Sequence, residues 1–168
     1  MLKYVAIAFT LLMTTTAYLH CSPKISSSKE GISMSSNNNT DGQLGTYKVA
    51  TFAGGCFWCT ESDLEKLPGV SKAISGYLDG HIDNPSYKQV SSGISGHVEA
   101  VEVHYDASII SYRELLQAFW MHVNPTDNGG QFVDRGEQYK PYVFYHTQAQ
   151  KIAALASREA LNASGRFE

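Results

Sequence analysis

Two cysteines separated by two residues are the side chains in this sequence best suited to chemistry. Cys56 and Cys59 stand in "GGCFWCTE", residues 54–61, with Phe57 and Trp58 between them. At the start of a helix, unpaired N–H groups and the helix dipole stabilise a thiolate, which makes Cys56 the expected nucleophile. One helical turn brings the two Cα atoms to roughly 5–6 Å, so a disulfide is geometrically possible. The pair therefore predicts a redox-active site.

Other interpretations of this motif stay open on the residues alone. The pair could be half of a zinc site, although no second cysteine pair exists and the histidines at 81, 97, 104, 122 and 146 are scattered. It could also be a buried, inert pair. The two aromatic residues could line an apolar pocket that holds a small hydrophobic group against the sulfur, or they could simply anchor the core.

An acid on a strand is the next candidate for chemistry. In "VEAVEVHY", residues 98–105, Glu99 shares its face with Val101, Val103 and Tyr105. Burial on that apolar face would raise the pKa of Glu99 and make it a proton donor near neutral pH. The alternative is an acid at the rim of the strand, in contact with water.

The elements that must position these residues follow from periodicity and from start and stop signals. Ser111 with Glu114, and Thr147 with Gln150, predict capping boxes at two helix starts. The sequence predicts strands over 47–53, 70–77, 98–105 and 142–146, helices over 56–67, 111–123 and 147–164, and a short helix or turn over 86–93. A long loop over 124–141 is expected to be functional or disordered.

The order of these elements predicts the fold class. Strands alternate with helices, but some returns are too short for βαβ crossovers. We therefore expect an α+β fold, a two-layer sandwich with a mixed β-sheet of the ferredoxin-like kind.

Composition and the N-terminus define the expected domain organisation. With 168 residues and a net charge of −3, the chain predicts one domain plus extensions and no nucleic-acid partner. Residues 1–21 have the pattern of a signal peptide or lipoprotein signal, although His20 is unusual before the lipidation candidate Cys21. Residues 22–45 are a Ser/Asn-rich linker, and residues 46–168 form the folded domain. We expect an exported protein, either periplasmic or anchored to the membrane through its N-terminus.

The motifs together resemble one family. "GGCFWCTE" strongly resembles the active-site signature of the A-type peptide methionine sulfoxide reductases, in the subgroup with Gly-Cys-Phe-Trp-Cys. Further matches follow in the family's order, from about Tyr47 to the C-terminus: "LPGV", "SGYLDG", "NPSYKQV", "SGHVEAVEVHYD", "NPTD", "DRGEQY" and "ASGRF". Relatives continue with a further strand-like segment and an aromatic-acidic stretch, so we expect a domain that is short at its C-terminus.

The resemblance implies a site and a reaction cycle, in a monomer without a bound cofactor or metal. Its implied catalytic residues are Cys56, Glu99 and Cys59, and its implied substrate-binding residues are Phe57, Trp58, Tyr87, Asp134 and Tyr139. The aromatic pair would hold the methyl group of methionine S-sulfoxide, free or in proteins. Attack by Cys56 would give methionine and a sulfenic acid, Cys59 would close a disulfide, and an external thioredoxin-like dithiol would reduce it.

Two other functions compete with sulfoxide reduction. A thiol-disulfide oxidoreductase also begins a helix with Cys-x-x-Cys but does not need Glu99, Tyr87 and Tyr139 around the sulfur. A shortened surface protein could bind oxidised methionine without turnover. His97, in "GHVEA", is expected to be structural support rather than a catalyst.

Overall fold

The structure is a computed structural model that describes the backbone of residues 3–6 and the whole of residues 47–167. The strands are β1 (Lys3–Ala6), β2 (Tyr47–Ala53), β3 (Val70–Leu78), β4 (Val98–Asp106), β5 (Gly130–Gln131), β6 (Asp134–Arg135) and β7 (Tyr142–Tyr145). The helices are α1 (Phe57–Glu65), α2 (Tyr87–Ser91), α3 (Tyr112–His122) and α4 (Gln148–Ala163), with a 3₁₀ turn at Glu137–Tyr139. Apart from β1, the predicted leader and linker lie outside the described residues and stay predictions.

The described strands form one five-stranded sheet and one small hairpin. The sheet has the order β1-β7-β2-β4-β3, and every neighbouring pair in it is antiparallel. The prediction of a mixed sheet was therefore wrong for these strands. The helix α1 does carry the chain back so that β2 and β3 run in the same direction, but β4 lies between them and pairs antiparallel with both. The alternation of elements along the chain could not reveal that insertion.

The main core lies between the sheet and the amphipathic face of α3. Glu99 is buried on β4 together with the residues that share its face, which confirms the predicted face: Val101, Val103 and Tyr105. On the opposite face Val98 and Ala100 are buried in a second cluster, while Glu102 is exposed. The ring of Phe52 on β2 packs against Phe119 of α3, with centroids 5.0 Å apart. On α3 the buried residues follow the helical repeat: Leu115, Leu116, Phe119 and Trp120.

Both predicted capping boxes can be compared with the structure: the one at α3 is complete, and the one at α4 is only half formed. At α3 the Ser111 hydroxyl accepts a hydrogen bond from the Glu114 N–H, and the Glu114 carboxylate accepts one from the Ser111 N–H. These two bonds confirm the predicted capping box. At α4, Thr147 accepts from the N–H of Gln150 at 3.2 Å. The Gln150 side chain instead accepts from the N–H of His146 at 2.7 Å. The second half of that predicted capping box was therefore wrong.

The stretch predicted as a long loop is ordered by local pairing. The strands β5 and β6, each two residues long, pair as an antiparallel hairpin. Arg135 on β6 makes a bidentate ion pair with Asp127, with N–O distances of 2.6 and 2.9 Å. The Gln138 amide donates to the Ser91 carbonyl at the end of α2 at 2.8 Å. This contact ties the stretch to the short helix that carries Tyr87. Within the described part of the chain, no helix has the length and apolar character needed to cross a membrane.

Candidate active site

The turn between β2 and α1 sets the position of the first cysteine. Cys56 is the N-cap of α1, with φ −59° and ψ 116°. Its carbonyl accepts from the N–H groups of Cys59 and Thr60, each at 3.1 Å. Before it, Gly55 has a φ of +81°, and a Cβ there would lie 2.7 Å from the Cβ of Gln131. Glycine is required at position 55 both by the left-handed backbone and by this close approach.

Replacing Gly54 by alanine tests how tightly this turn is packed against the core. A Cβ at Gly54 would lie 2.7 Å from Cγ1 of Val123 and 2.9 Å from Cε2 of Phe119. We expect Gly54→Ala to lower the free energy of unfolding by about 1–3 kcal/mol, measured by urea denaturation. The matched control is Gly76→Ala on β3, where a Cβ would meet nothing within 4 Å. Equal stability of the two variants would contradict this account of the turn.

The two cysteines are both reduced and differ in exposure. Cys56 is half-buried and Cys59 is exposed. A hydrogen bond from the Cys59 thiol to Cys56 is the largest of the effects that raise the pKa of Cys59, followed by burial and by the negative charges of Asp134 and Asp63. Cys59 therefore keeps its proton while Cys56 is positioned at the helix N-terminus as the nucleophile.

Glu99 lies beneath the start of the same helix. Its side chain is 2% exposed, and its Oε2 accepts from the backbone N–H of Phe57 at 3.0 Å. Burial is the main effect that raises the pKa of this carboxyl group; the hydrogen bond from Phe57 opposes it and the charge of Asp134 adds to it. Because Phe57 directly follows Cys56, a carboxyl group with a raised pKa is bonded to the residue next to the nucleophile.

The aromatic side chains of the motif divide between the core and the surface. Phe57 is buried, whereas Trp58 is 61% exposed and stacks on Tyr87, with ring centroids 5.8 Å apart and planes inclined by 13°. Phe57 and Trp58 are also in contact, at 5.4 Å between centroids. The structure thus supports both functions considered for these aromatics: Phe57 anchors the core, and Trp58 forms an open wall with Tyr87.

The ordered stretch before β7 brings two further candidates to the site. Tyr139, in the 3₁₀ turn, is half-buried, and its pKa is raised by burial first and then by Glu99, Tyr87 and Asp134. Asp134, at the start of β6, lines a cavity of about 450 Å³ together with Cys56 and Cys59. All eight residues predicted from the sequence are thus gathered around the N-terminus of α1.

Sequence reasoning missed three side chains that shape this region. Tyr77 on β3 lies opposite Glu99 in the sheet, and its ring stacks on Phe57 with centroids 5.5 Å apart. Gln131 packs against the turn and accepts from the N–H of Asn124 at 2.7 Å. Gln138 joins the 3₁₀ turn to α2. Gln138 and Tyr77 carried a signal, since they belong to the "DRGEQY" and "SGYLDG" motifs. Gln131 belongs to none of the quoted motifs, and its place depends on a hairpin.

The structure also shows what His97 contacts and whether a metal site is present among the described residues. The Nδ1 of His97 accepts from the Gly80 N–H at 3.2 Å, and its Nε2 lies 2.8 Å from the Ile82 carbonyl, so the ring supports the loop after β3. Among residues 47–167, no cluster of three or more histidine, cysteine or acidic side chains could hold a metal ion.

Comparisons of the sequence with known proteins point to a single family. A family model described as peptide methionine sulfoxide reductase matches residues 48–168. The peptide methionine sulfoxide reductase MsrA/MsrB of Vibrio cholerae is 57% identical over 128 residues, covering 76% of this chain and 34% of that protein. The enzyme MsrA of Listeria monocytogenes is 50% identical over 119 residues, covering 71% of this chain and 67% of that protein. The chain thus spans about a third and about two thirds of the length of these relatives.

Solved structures are similar as well. The reduced form of Mxr1 from Saccharomyces cerevisiae matches with a TM-score of 0.67 and 30% identity, covering 73% of this chain and 72% of that chain. Methionine sulfoxide reductase A of Corynebacterium diphtheriae matches with a TM-score of 0.62 and 28% identity, covering 74% of this chain and 61% of that chain.

Proposed function

The chain belongs to the peptide methionine sulfoxide reductase family, and from this premise we propose that it reduces methionine S-sulfoxide, free or in proteins, to methionine. The observation that carries the proposal is the buried Glu99, bonded to the N–H of the residue that follows Cys56. A nucleophilic sulfur and a proton donor then act on the two atoms of one S=O group. The biological role that follows is the repair of oxidised proteins.

In the first step the thiolate of Cys56 attacks the sulfur of the sulfoxide. Glu99, whose pKa is raised by burial, acts in its protonated form and donates its proton to the sulfoxide oxygen. The substrate S–O bond breaks, the oxygen ends on the sulfur of Cys56 as a sulfenic acid, and methionine leaves. The substrate sulfur gains two electrons and the Cys56 sulfur loses two. In this proposal the phenol groups of Tyr87 and Tyr139 hold the oxygen and the Trp58 wall holds the methyl group. The stack of Trp58 on Tyr87, and the effect of Tyr87 and Glu99 on the pKa of Tyr139, support these roles.

In the second step Cys59 attacks the sulfenic acid, and water leaves as the Cys56–Cys59 disulfide forms. An external thioredoxin-like dithiol then reduces that disulfide, so the cycle needs no bound cofactor. The exposure of Cys59 supports this proposal, because a reductant can reach its sulfur from solvent.

Three further proposals concern the architecture and the setting. The strands β7-β2-β4-β3 follow the antiparallel order of a split β-α-β arrangement, which supports a two-layer, ferredoxin-like sandwich. We also propose that the protein acts as a monomer and that it is exported, either to the periplasm or as a lipoprotein anchored to the membrane by its N-terminus. In that compartment its reductant must itself be extracytoplasmic.

Replacing Cys59 by serine separates the two steps. Cys59→Ser keeps the nucleophile and Glu99, so one methionine should form per protein while the sulfenic acid on Cys56 persists. We expect a dimedone adduct on Cys56, detected by mass spectrometry, in the variant and little adduct in the parent protein. If Cys59→Ser forms methionine but no dimedone adduct on Cys56, the assignment of Cys59 as the resolving thiol is contradicted.

The competing function, thiol-disulfide exchange, is distinguished by its dependence on Glu99. A disulfide oxidoreductase requires the two thiols but no donor for a sulfoxide oxygen. Glu99→Gln should therefore leave reduction of a protein disulfide unchanged if that is the activity, whereas sulfoxide reduction should slow by about 10²–10⁴-fold. Measuring both activities on one preparation of the variant decides between them.

A further inference from the structure

A histidine at the end of α3 is bonded to the helix that carries both cysteines. The Nδ1 of His122 lies 2.8 Å from Oδ2 of Asp63, and its Nε2 lies 3.2 Å from Oγ1 of Thr60. Thr60 is 1% exposed, and its hydroxyl also lies 3.3 Å from the carbonyl oxygens of Gly54 and Cys56. Asp63, His122 and Thr60 thus form a polar chain that ends at the turn holding the nucleophile.

This chain can accommodate His122 with or without a proton on Nε2. When Nδ1–H donates to Asp63 and Nε2 is bare, the Thr60 hydroxyl donates to Nε2. When Nε2 is protonated, it donates to the same hydroxyl, which then turns to a carbonyl of Gly54 or Cys56. Protonation of His122 therefore leaves no buried polar group unpaired, so it does not carry the usual penalty of a lost hydrogen bond.

The position of His122 relates it to the resolving thiol. Cys59 and Asp63 are four residues apart on α1, so their side chains share a face of the helix. His122 contacts that face through Asp63, and it lines the same cavity of about 450 Å³ as Cys56 and Cys59. Its side chain is 19% exposed, so water in that cavity can reach it.

Disulfide closure needs a group that removes the proton of Cys59. The thiolate is the attacking form, and the pKa of Cys59 is raised by Cys56, burial and the charges of Asp134 and Asp63. After Cys56 has become a sulfenic acid, the carboxylates of Asp134 and Asp63 still raise the pKa of Cys59. Besides the thiols, the titratable groups that line the cavity in the described chain are His122, Asp127 and Asp134, and Asp127 is ion-paired with Arg135.

We propose that His122, held by Asp63, is the general base that takes the Cys59 thiol proton during disulfide closure, through water in the cavity that both residues line. The Thr60 hydroxyl turns from Nε2 to a carbonyl of Gly54 or Cys56, which frees Nε2 to accept that proton. The Cys59 thiolate attacks the sulfur of the Cys56 sulfenic acid, the S–S bond forms, and the S–O bond breaks with its electron pair on oxygen. The imidazolium returns its proton to the departing hydroxide, which leaves as water. The net reaction, thiol plus sulfenic acid to disulfide plus water, needs no further oxidant or reductant. This inference rests on the proposed function, because closure follows sulfoxide reduction.

The test follows methionine formation and thiol loss separately in one turnover of the full chain. Reduced protein is mixed with methionine S-sulfoxide, and quenched samples are assayed for methionine, free thiols and a dimedone adduct. For His122→Gln, whose amide can still contact Thr60, we expect closure to slow by about a hundredfold, so that the sulfenic acid accumulates after methionine forms. The control is His104→Gln, which removes a partly exposed histidine that is bonded to Glu102 at 2.8 Å and does not line the cavity.

A pH series distinguishes a base from a packing residue. The charged groups that face His122 are Asp63 from α1 and, across the cavity, Asp127, Asp134 and the thiols. Above the raised pKa of Cys59, hydroxide removes the thiol proton, so closure in His122→Gln should approach the parent rate. A packing defect would instead slow closure at every pH.

A second variant keeps the inference testable if His122→Gln does not fold. Asp63→Asn keeps an acceptor for Nδ1–H but removes the carboxylate that holds His122 as a base, and we expect it to slow the same step. The charge of Asp63 also raises the pKa of Cys59, so its loss alone would speed closure, and slower closure in this variant therefore points to His122. Closure at the parent rate in folded His122→Gln, or a defect that persists at alkaline pH, overturns the inference. Failure of the parent protein to form methionine would overturn the proposed function instead.

Discussion

Replacing Cys56 by serine is expected to abolish methionine formation, with a loss of at least about 10⁴-fold in rate. A serine hydroxyl at the same N-cap remains protonated at neutral pH, and a protonated oxygen attacks the sulfoxide sulfur far less readily than a thiolate does. Removing a nucleophile from an assembled site is among the largest single losses seen in enzymes. The measurement is methionine released from the S-sulfoxide in the presence of excess dithiothreitol.

The control for this experiment is Cys59→Ser under the same conditions. An external dithiol can reduce the Cys56 sulfenic acid directly, so this variant should retain turnover with dithiothreitol. Cys56 is half-buried at the start of α1, and serine fits its space, so the folded state should be preserved. Comparable activity of Cys56→Ser and the parent protein would show that another group attacks the sulfoxide.

Replacing Glu99 by glutamine is expected to slow the first step by about 10²–10⁴-fold, because the amide cannot donate a proton in the way a carboxylic acid does. The amide oxygen can still accept from the Phe57 N–H, so the turn should remain in place. In the parent protein the protonated form is the active one. The rate of methionine formation should therefore fall as the pH rises through the raised pKa of Glu99, and Glu99→Gln should lose that dependence.

The same substitution should change stability in the opposite direction from activity. The pKa of Glu99 is raised in the folded protein, so the folded state holds a proton that the unfolded state releases. The free energy of unfolding therefore falls as the pH rises from the unfolded pKa through the folded one. Glu99→Gln removes this loss, and thermal unfolding at pH 8 should occur at a higher temperature than in the parent. A variant that is both fully active and less stable at pH 8 would contradict the assignment.

The parts of the site that follow local periodicity could be predicted from the sequence. The two-residue repeat of β4 correctly predicted that Glu99 is buried, because side chains alternate between the two faces of a strand whatever its neighbours are. The capping box at Ser111 was predicted for the same reason, since both partners lie within one helical turn. The cysteine pair was placed at the start of a helix by the glycines before it.

The parts that depend on distant pairing could not be predicted in this way. Whether β4 pairs between β2 and β3 is decided by the packing of the whole sheet, so the mixed sheet was a wrong prediction. The contact of Tyr77 with the Glu99 region depends on the register of two strands more than twenty residues apart in sequence. The bond between His122 and Asp63 joins two helices across 59 residues, and no local pattern in either helix indicates it.

The most direct test of the central claim is one turnover of the reduced protein without any reductant. Protein is mixed separately with the S and R epimers of methionine sulfoxide, and methionine formed and thiols lost are counted per chain. We predict one methionine from the S epimer only, with the loss of two thiols, identified by peptide mapping as Cys56 and Cys59. No methionine from a protein shown to be folded, or equal amounts from both epimers, would contradict the account.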